Sequence, residues 1–259
     1  MSKNIIVITG ASSGIGLEFA RQIDPYFPGI DEVWLIARSR DRLTETARSM
    51  CHKTRILAMD ITKEAQLERL EDTLLEHDAV IRMLINCAGY GLMGDFANQN
   101  LECELGMVRL NCEALTHITH RCLPFMKRGS RIIQMASSAA FLPQPGFAVY
   151  AATKSYVLSF SRALGEELRD KGIWVTSVCP GPVDTPFFDI AEKTGSTLSI
   201  KKYTMVKPDR VVSQALRDSY LKKTMSVCSL PIQAFGVFSK YMPHQLLIRA
   251  VSEMKRKQI

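Results

Sequence analysis

The sequence predicts an α/β protein, a doubly wound parallel sheet of six or seven strands flanked by helices on both faces. Three observations predict it. Short β-branched apolar runs alternate with longer segments of helical period. A glycine-rich turn joins the first such run to the first helical segment. The chain has 259 residues, 46% of them hydrophobic, which is enough for one sizeable core.

The strand candidates are residues 5–9, 33–37, 55–59, 82–87, 131–136 and 173–178. Each is short, rich in Ile, Val and Leu, and bounded by turn formers. Between them, residues 14–23, 65–76, 102–126 and 150–171 read as helices. In the last of these Val157, Ser161, Leu164 and Leu168 share one face, and Gly172 supplies a C-terminal stop. A sheet of this kind takes its ligands at the C-terminal ends of its strands. No repeat, low-complexity tract or linker divides the chain, so residues 1–259 are read as a single domain. After Pro186 the alternation fades. Residues 187–225 form a polar, lysine-rich segment expected to cover the ligand edge, and residues 226–259 form an apolar, helical C-terminal segment.

Several classes are excluded at this level. Apolar runs stop well short of the ~20 residues that span a bilayer. The N-terminus enters a strand without the basic, apolar and small-residue regions of a secretion leader. Seven cysteines, at 51, 87, 103, 112, 122, 179 and 228, form no C-x-x-C pair and are odd in number, so they read as reduced thiols of a cytoplasmic protein. The net charge is +7, and its source is local: residues 190–259 carry 13 Lys and Arg against 4 Asp and Glu. Such a region attracts anionic substrates, a CoA thioester or a carboxylated sterol among them. It lacks the reader motif and interleaved aromatics of a nucleic-acid binder.

Thr9-Gly10-Ala11-Ser12-Ser13-Gly14-Ile15-Gly16 lies between the first strand and the first helix. Glycines there let the backbone approach a pyrophosphate, and the helix start offers free N–H groups and a positive dipole end. The predicted sheet is therefore Rossmann-type. This turn, followed in order by Asn86-Cys87-Ala88-Gly89, Tyr150-Ala151-Ala152-Thr153-Lys154 and Pro180-Gly181, resembles the short-chain dehydrogenase/reductase family over roughly residues 4–190.

The second strand ends Leu35-Ile36-Ala37-Arg38-Ser39-Arg40. An acidic side chain at this place would accept from the 2′-hydroxyl of NAD. Ala37 stands where NAD-preferring relatives carry Asp, and the guanidinium of Arg38 suits a 2′-phosphate, so the cofactor is expected to be NADP(H). Ser12, Ser13 and Ser39 offer further hydroxyls. The resemblance implies that Asp60 contacts the adenine with Ile61 stacked nearby, while Asp60 also suits a turn or helix cap. It implies that Asn86 presents its amide and that Ala88 and Gly89 pass close to the cofactor. Cys87 departs from the usual Asn-Asn-Ala-Gly.

Tyr150 and Lys154 stand four apart, which stacks them on one helix face. A free tyrosine has a pKa of ~10. An ammonium beside it, with the oxidised nicotinamide, is expected to lower that value and make Tyr150 an acid in reduction and a base in oxidation. The resemblance gives Lys154 a hold on the nicotinamide ribose and makes Ser137, 13 residues before Tyr150, the carbonyl-polarising serine. Strand alternation turns Ser138 the other way. It gives Asn111 a water that relays protons from Lys154; an Asn in mid-helix costs a few tenths of a kcal/mol, a local conflict typical of a functional site. Pro180-Gly181-Pro182-Val183-Asp184-Thr185 reads as a strand-end turn, which the resemblance lays over the nicotinamide with Val183 and Thr185 near the carboxamide.

His117 and His120 are three apart, but no cysteine or carboxylate pair completes a tetrahedral set, so no metal is expected. In the C-terminal segment Leu247, Ala250, Val251 and Met254 form an apolar stripe beside basic residues. It suits a membrane surface or a partner groove, but better a final helix pair packed on the domain or a second subunit, the commoner use of such stripes.

The resemblance implies an NADPH-dependent oxidoreductase acting between a carbonyl and a secondary alcohol, with reduction the expected direction. Met93, Phe141, Leu142, Phe187 and Phe188 flank the motif residues and favour an apolar ketone: a keto-steroid or bile acid, or a 3-oxoacyl thioester. The alternatives are a non-catalytic NADP(H) sensor and a membrane-surface lipid ketoreductase. A homodimer or homotetramer formed through residues 102–126 and 150–171 is also implied.

Overall fold

Alternation along the strands divides the core into two halves. In β1 (Lys3–Thr9), Ile5 and Val7 turn to one face of the sheet, and Ile6 and Ile8 to the other. All four are fully buried, and each such side chain contributes about 1.5–3 kcal/mol through the apolar area it removes from water. The computed structural model describes residues 2–27, 29–192 and 205–256.

The remaining strands are β2 (Glu32–Ala37), β3 (Thr54–Ala58), β4 (Ala79–Asn86), β5 (Met126–Met135), β6 (Trp174–Val178) and the two-residue β7 (Met225–Ser226). They form one parallel sheet in the order β3-β2-β1-β4-β5-β6-β7. Winding reverses between β1 and β4, so the connections leaving those two strands part and open a crevice at their C-terminal ends.

The helices, in chain order, are α1 (Gly14–Gln22), α2 (Arg40–Arg48), α3 (Glu64–Glu76), α4 (Leu101–Val108), α5 (Leu115–Cys122), α6 (Ala148–Glu167), α7 (Phe187–Ala191), α8 (Pro208–Tyr220), α9 (Leu230–Tyr241) and α10 (His244–Arg256). Phe19 and Ala20 of α1, Leu43 of α2 and Val211, Val212, Ala215 and Leu216 of α8 cover one face of the sheet. Leu67, Leu70 and Leu74 of α3, Ile118 and Cys122 of α5 and Leu164 of α6 cover the other. Among the described residues no helix is long and apolar enough to cross a membrane.

Two sequence expectations are corrected, one helix was not expected, and one expectation lies partly outside the described residues. The helix expected over 102–126 is interrupted by a π turn at Arg109–Ala114 and stopped by the Leu123–Phe125 turn, where Pro124 removes a donor; Met126 already belongs to β5. Helix α2 was not expected, because Leu43 and Thr46 are its buried residues and no apolar stripe announces it. Helix α8 lies inside the segment expected to cover the ligand edge, yet its Val and Leu face packs on α1 and the sheet. The rest of that segment, 193–204, lies outside the described residues. The 226–259 segment does form two helices, but of the stripe expected on the last one Leu247 is half-buried and the side chains of Ala250, Val251 and Met254 lie outside the described residues.

Candidate active site

Thr9 ends β1 and ties two motifs together. Its Oγ1 accepts from the backbone N–H groups of Cys87 and Ala88, each at 3.1 Å, so the turn after β4 is held against the glycine-rich turn. Gly10 has φ +67°, and a Cβ there would stand 2.8 Å from the Ala88 nitrogen. Both the left-handed backbone and the close approach require glycine. Across the crevice a Cβ on Gly14 would stand 3.6 Å from Cβ of Thr185, so the turn after β6 reaches the start of α1. No acidic residue lies in the first turn of α1, and Ser13 caps it without a side-chain bond. Its leading N–H groups have no intrahelical acceptors and, with Ser12, Ser13, Ile15 and Gly16 beside them, could hold an anion.

Arg38 follows β2 and is exposed, with no ion pair among the described residues. Its charge reaches Asp60 and Tyr90. Ser39 beside it caps α2, accepting from the Arg42 nitrogen. A glycine cradle at a helix start, with an unpaired guanidinium at the end of the next strand, is a donor set that fits a phosphorylated dinucleotide.

Asp60 serves as a turn cap: its Oδ1 accepts from the Thr62 nitrogen at 3.0 Å and the Thr62 hydroxyl at 2.7 Å. Burial pushes its carboxyl up, but the bonds from Thr62 and the Arg38 charge outweigh this and leave it below the usual carboxylate value. The side chains of three residues expected beside the cofactor turn inward. Ile61 is buried in the core with Leu67 and Leu70, because its side chain alternates to the sheet side of the turn. The Asn86 amide donates to Thr119 Oγ1 at 3.0 Å and Gln134 Oε1 at 3.1 Å, a buried tie between β4, β5 and α5. Val183 packs in the core and pairs with Val206, so the turn after β6 presents backbone there.

Helix α6 carries Tyr150 and Lys154 on its buried face. Lys154 Nζ donates to the Met135 carbonyl at 2.7 Å and stands 5.6 Å from the Tyr150 ring centroid. Ser137, just beyond β5, has its hydroxyl beside the Tyr150 phenol and accepts from the Ala139 nitrogen at 3.1 Å. Ser138 points its N–H the other way, to the Pro180 carbonyl at 2.8 Å, which brings Pro180 and Gly181 up to this edge. The π turn directs Asn111 inward. Its Nδ2 donates to the Tyr90 carbonyl at 2.9 Å and to Thr153 Oγ1 at 3.1 Å, and its Oδ1 accepts from the Tyr90 nitrogen at 3.1 Å. A Cβ on Gly89 would stand 2.9 Å from Asn111 Oδ1 and 3.6 Å from Lys154 Nζ. Asn111, Ser137, Tyr150 and Lys154 are thus brought to one end of β4 and β5.

The electrostatics differ from the sequence expectation. Burial pushes the Tyr150 phenol up to about 12, with the Ser137 hydroxyl drawing it part of the way back. Burial also pulls the Lys154 ammonium down to about 8. The expected lowering of Tyr150 is not present in the chain alone, since desolvation disfavours both charged forms and the ammonium points to a carbonyl. The thiols of Cys87, Cys112 and Cys179 lie around Lys154; burial raises all three, Cys179 to about 11, which favours the neutral thiol.

One wall residue, Phe147, escaped the sequence reading, whereas Phe187 was named in it. Phe147 stacks on Tyr150 with centroids 4.2 Å apart, and Phe187 of α7 lies 5.4 Å from Tyr150 on another side. A Cβ on Gly91 would stand 2.6 Å from Tyr150, 2.9 Å from Phe187 and 3.0 Å from Phe147, so Gly91 makes room for the three rings. The i,i+3 spacing of Phe147 and Tyr150 was the signal that would have found Phe147. Leu92, Met93, Met107, Ala139 and Phe188 pack with these rings in one apolar cluster around the phenol. Among the described residues no group of His, Cys, Asp and Glu is arranged for a metal; His117 accepts from Arg121 at 2.9 Å.

Comparison with known proteins bears on this arrangement. The family model described as short chain dehydrogenase matches residues 4–194. The serine 3-dehydrogenase of Agrobacterium fabrum is 33% identical over 91% of this chain and 97% of its own. The human very-long-chain 3-oxoacyl-CoA reductase is 27% identical over 96% of this chain and 74% of its own. A short-chain dehydrogenase from Sphingobium yanoikuyae, solved in complex with NADPH, superposes with TM-score 0.76 at 29% identity, covering 89% of this chain and 90% of that one.

Proposed function

The chain belongs to the short-chain dehydrogenase family, and from that premise we propose that it is an NADPH-dependent reductase of an apolar ketone. The observation that carries this reading is the Tyr150 phenol, held protonated in an apolar aromatic cluster, with Ser137 beside it and Lys154 on the same helix face.

When bound, the reduced nicotinamide supplies the hydride. Ser137 and Tyr150 hold the substrate carbonyl oxygen by hydrogen bonds from their hydroxyls, which fixes the carbonyl carbon toward the cofactor side of the crevice. Tyr150 donates its proton to that oxygen as negative charge develops there. A phenol at about 12 is protonated at neutral pH, the form that donates in reduction. Lys154 stabilises the phenolate left behind and has donors for the nicotinamide ribose. Asn111 is a positioning residue that fastens the Tyr90 backbone and Thr153 of α6, with the proposed water relay from Lys154 beside it.

NADPH is favoured over NADH by Arg38 at the position where a 2′-phosphate would lie and by Ala37 in place of an acid. Gly10, Ser12, Ser13, Gly14, Ile15 and Gly16 are read as the pyrophosphate cradle. Asp60, Ala88 and Gly89 line the adenosine side, and Pro180, Gly181 and Thr185 the nicotinamide side. The apolar cluster supports a keto-steroid, keto-bile acid or 3-oxoacyl thioester, and the last is also the substrate named in the human relative. Leu101, Leu105 and Val108 on α4 and Tyr156 on α6 are exposed and support a homo-oligomer formed through those helices. Seven unpaired cysteines support a cytoplasmic setting.

The test is NADPH oxidation, with NADH in parallel, against a panel of keto-steroids, keto-bile acids, 3-oxoacyl thioesters and simple aromatic ketones. Turnover with NADPH well above NADH is the expected result. Tight NADPH binding with no turnover on any of them would overturn the reading.

A further inference from the structure

Helix α9 is apolar on two opposite sides. Ile232, Phe235, Gly236 and Ser239 face the body: a Cβ on Gly181 would meet Ile232 at 3.1 Å, the Phe235 ring lies 6.5 Å from Phe141, and Ser239 is buried. Leu230, Ala234, Val237, Phe238 and Tyr241 recur at i, i+4, i+7, i+8 and i+11 and so form a second stripe away from the body. Leu230 is 78% exposed, Val237 59%, Phe238 49% and Tyr241 83%. Beyond the corner, where the His244 ring meets the Ser239 carbonyl at 3.1 Å, Leu246 of α10 is exposed as well. A contiguous apolar stripe of this size marks a docking surface.

Charge and position say what covers it. Lys240 flanks the stripe and Arg249 stands on α10, both exposed, with Glu253 the exposed acid on the same helix, and residues 226–259 carry 5 Lys and Arg against 1 Asp or Glu. A second copy meeting the same stripe about a twofold axis would bring like charges together. An anionic surface would be attracted by them. The body-facing side of α9 leans on Phe141, four residues beyond Ser137, and on Gly181, so the helix packs at the strand ends that carry the candidate site.

We propose that α9 and α10 form an interfacial anchor that lays the protein on an anionic lipid surface with the Phe141 and Gly181 edge of the crevice beside the bilayer. The outward stripe enters the headgroup–acyl boundary while Lys240 and Arg249 meet lipid phosphates. The apolar substrate then passes from lipid to crevice; this last step rests on the proposed function, whereas the docking does not.

Flotation of the full chain with vesicles of phosphatidylcholine, alone or mixed with phosphatidylglycerol, tests the anchor. We expect about tenfold tighter binding to the anionic vesicles, weakened by salt. The Phe238→Asp/Tyr241→Asp variant alters outward side chains and should keep the wild-type Tm while losing about tenfold or more in vesicle binding. Lys240→Glu/Arg249→Glu should lose the preference for anionic vesicles. The proposal is overturned if the wild type floats with neither vesicle, if the stripe variant binds like wild type, or if light scattering shows a dimer that the stripe variant splits. Vesicle binding needs no turnover: a protein that floats but reduces nothing overturns the reductase reading alone, and an active protein that does not float overturns the anchor alone.

Discussion

Lys154 Nζ donates to the backbone carbonyl of Met135 at 2.7 Å, the last residue of β5 and two before Ser137. This bond fixes the lysine under the strand end from which the serine projects, and burial there draws its pKa down to about 8. A raised pH therefore removes the ammonium long before it ionises the phenol at about 12.

Ketone reduction should accordingly be level through neutral pH and fall as pH rises through about 8, where Lys154 loses its proton. The pH profile of kcat/KM measures this. In Lys154→Arg, which stays charged, the fall near pH 8 should disappear even if the overall rate is lower. Persistence of the same inflection in that variant would assign it to another group.

Tyr150→Phe removes the proton donor and keeps the ring stacked on Phe147. Its reductase rate should drop by about 10²–10⁴-fold, while NADPH binding, followed by cofactor fluorescence, stays close to wild type. A variant retaining every cellular effect would instead favour a sensor.

Arg38→Ala combined with Ala37→Asp exchanges the cation at the end of β2 for an acceptor. The ratio of kcat/KM for NADPH over NADH should fall by about 10–100-fold, the loss of one charge-assisted bidentate contact and the gain of a ribose acceptor.

Gly91→Ala puts a methyl within 3.0 Å of Tyr150, Phe187 and Phe147. Overpacking of this kind costs about 1–3 kcal/mol, and displacement of the phenol should lower kcat more than it raises KM. Thermal unfolding and steady-state kinetics on one sample separate the two effects.

Glu32, 2% exposed at the start of β2, meets Lys3, Lys53, Arg55 and the Trp34 indole. Burial works against its ionisation, but the bonds from Trp34 and Lys53 and the charges of Arg55 and Lys3 hold its pKa at about 2. A carboxyl lowered in the folded state stabilises above its unfolded value, so its contribution is complete above about pH 4.5 and lost as pH falls toward 2. Glu32→Gln should lower Tm at pH 7 and narrow the gap in Tm between pH 7 and pH 3.

The sheet and the list of motifs are legible in the local sequence. Local signals sufficed for these: alternation placed β1 to β6, the glycine-rich turn before α1 marked the crevice, and the four-residue spacing of Tyr150 and Lys154 put both on one face of α6. The tertiary structure decided what no local pattern encodes. Ile61, Asn86 and Val183 sit in motif positions yet turn into the interior, because the direction of a side chain at a strand end depends on what packs beneath it. The break at Arg109–Ala114 became visible once Asn111 was seen bonded to Tyr90 and Thr153, residues 21 and 42 positions away. The protonated phenol follows from burial by Phe147 and Phe187, and the second apolar side of α9 from finding the first one used on Phe141. Spacing along the chain gives a residue its face, but desolvation and partners come from segments far away in sequence, and these set the charge state and the free surface.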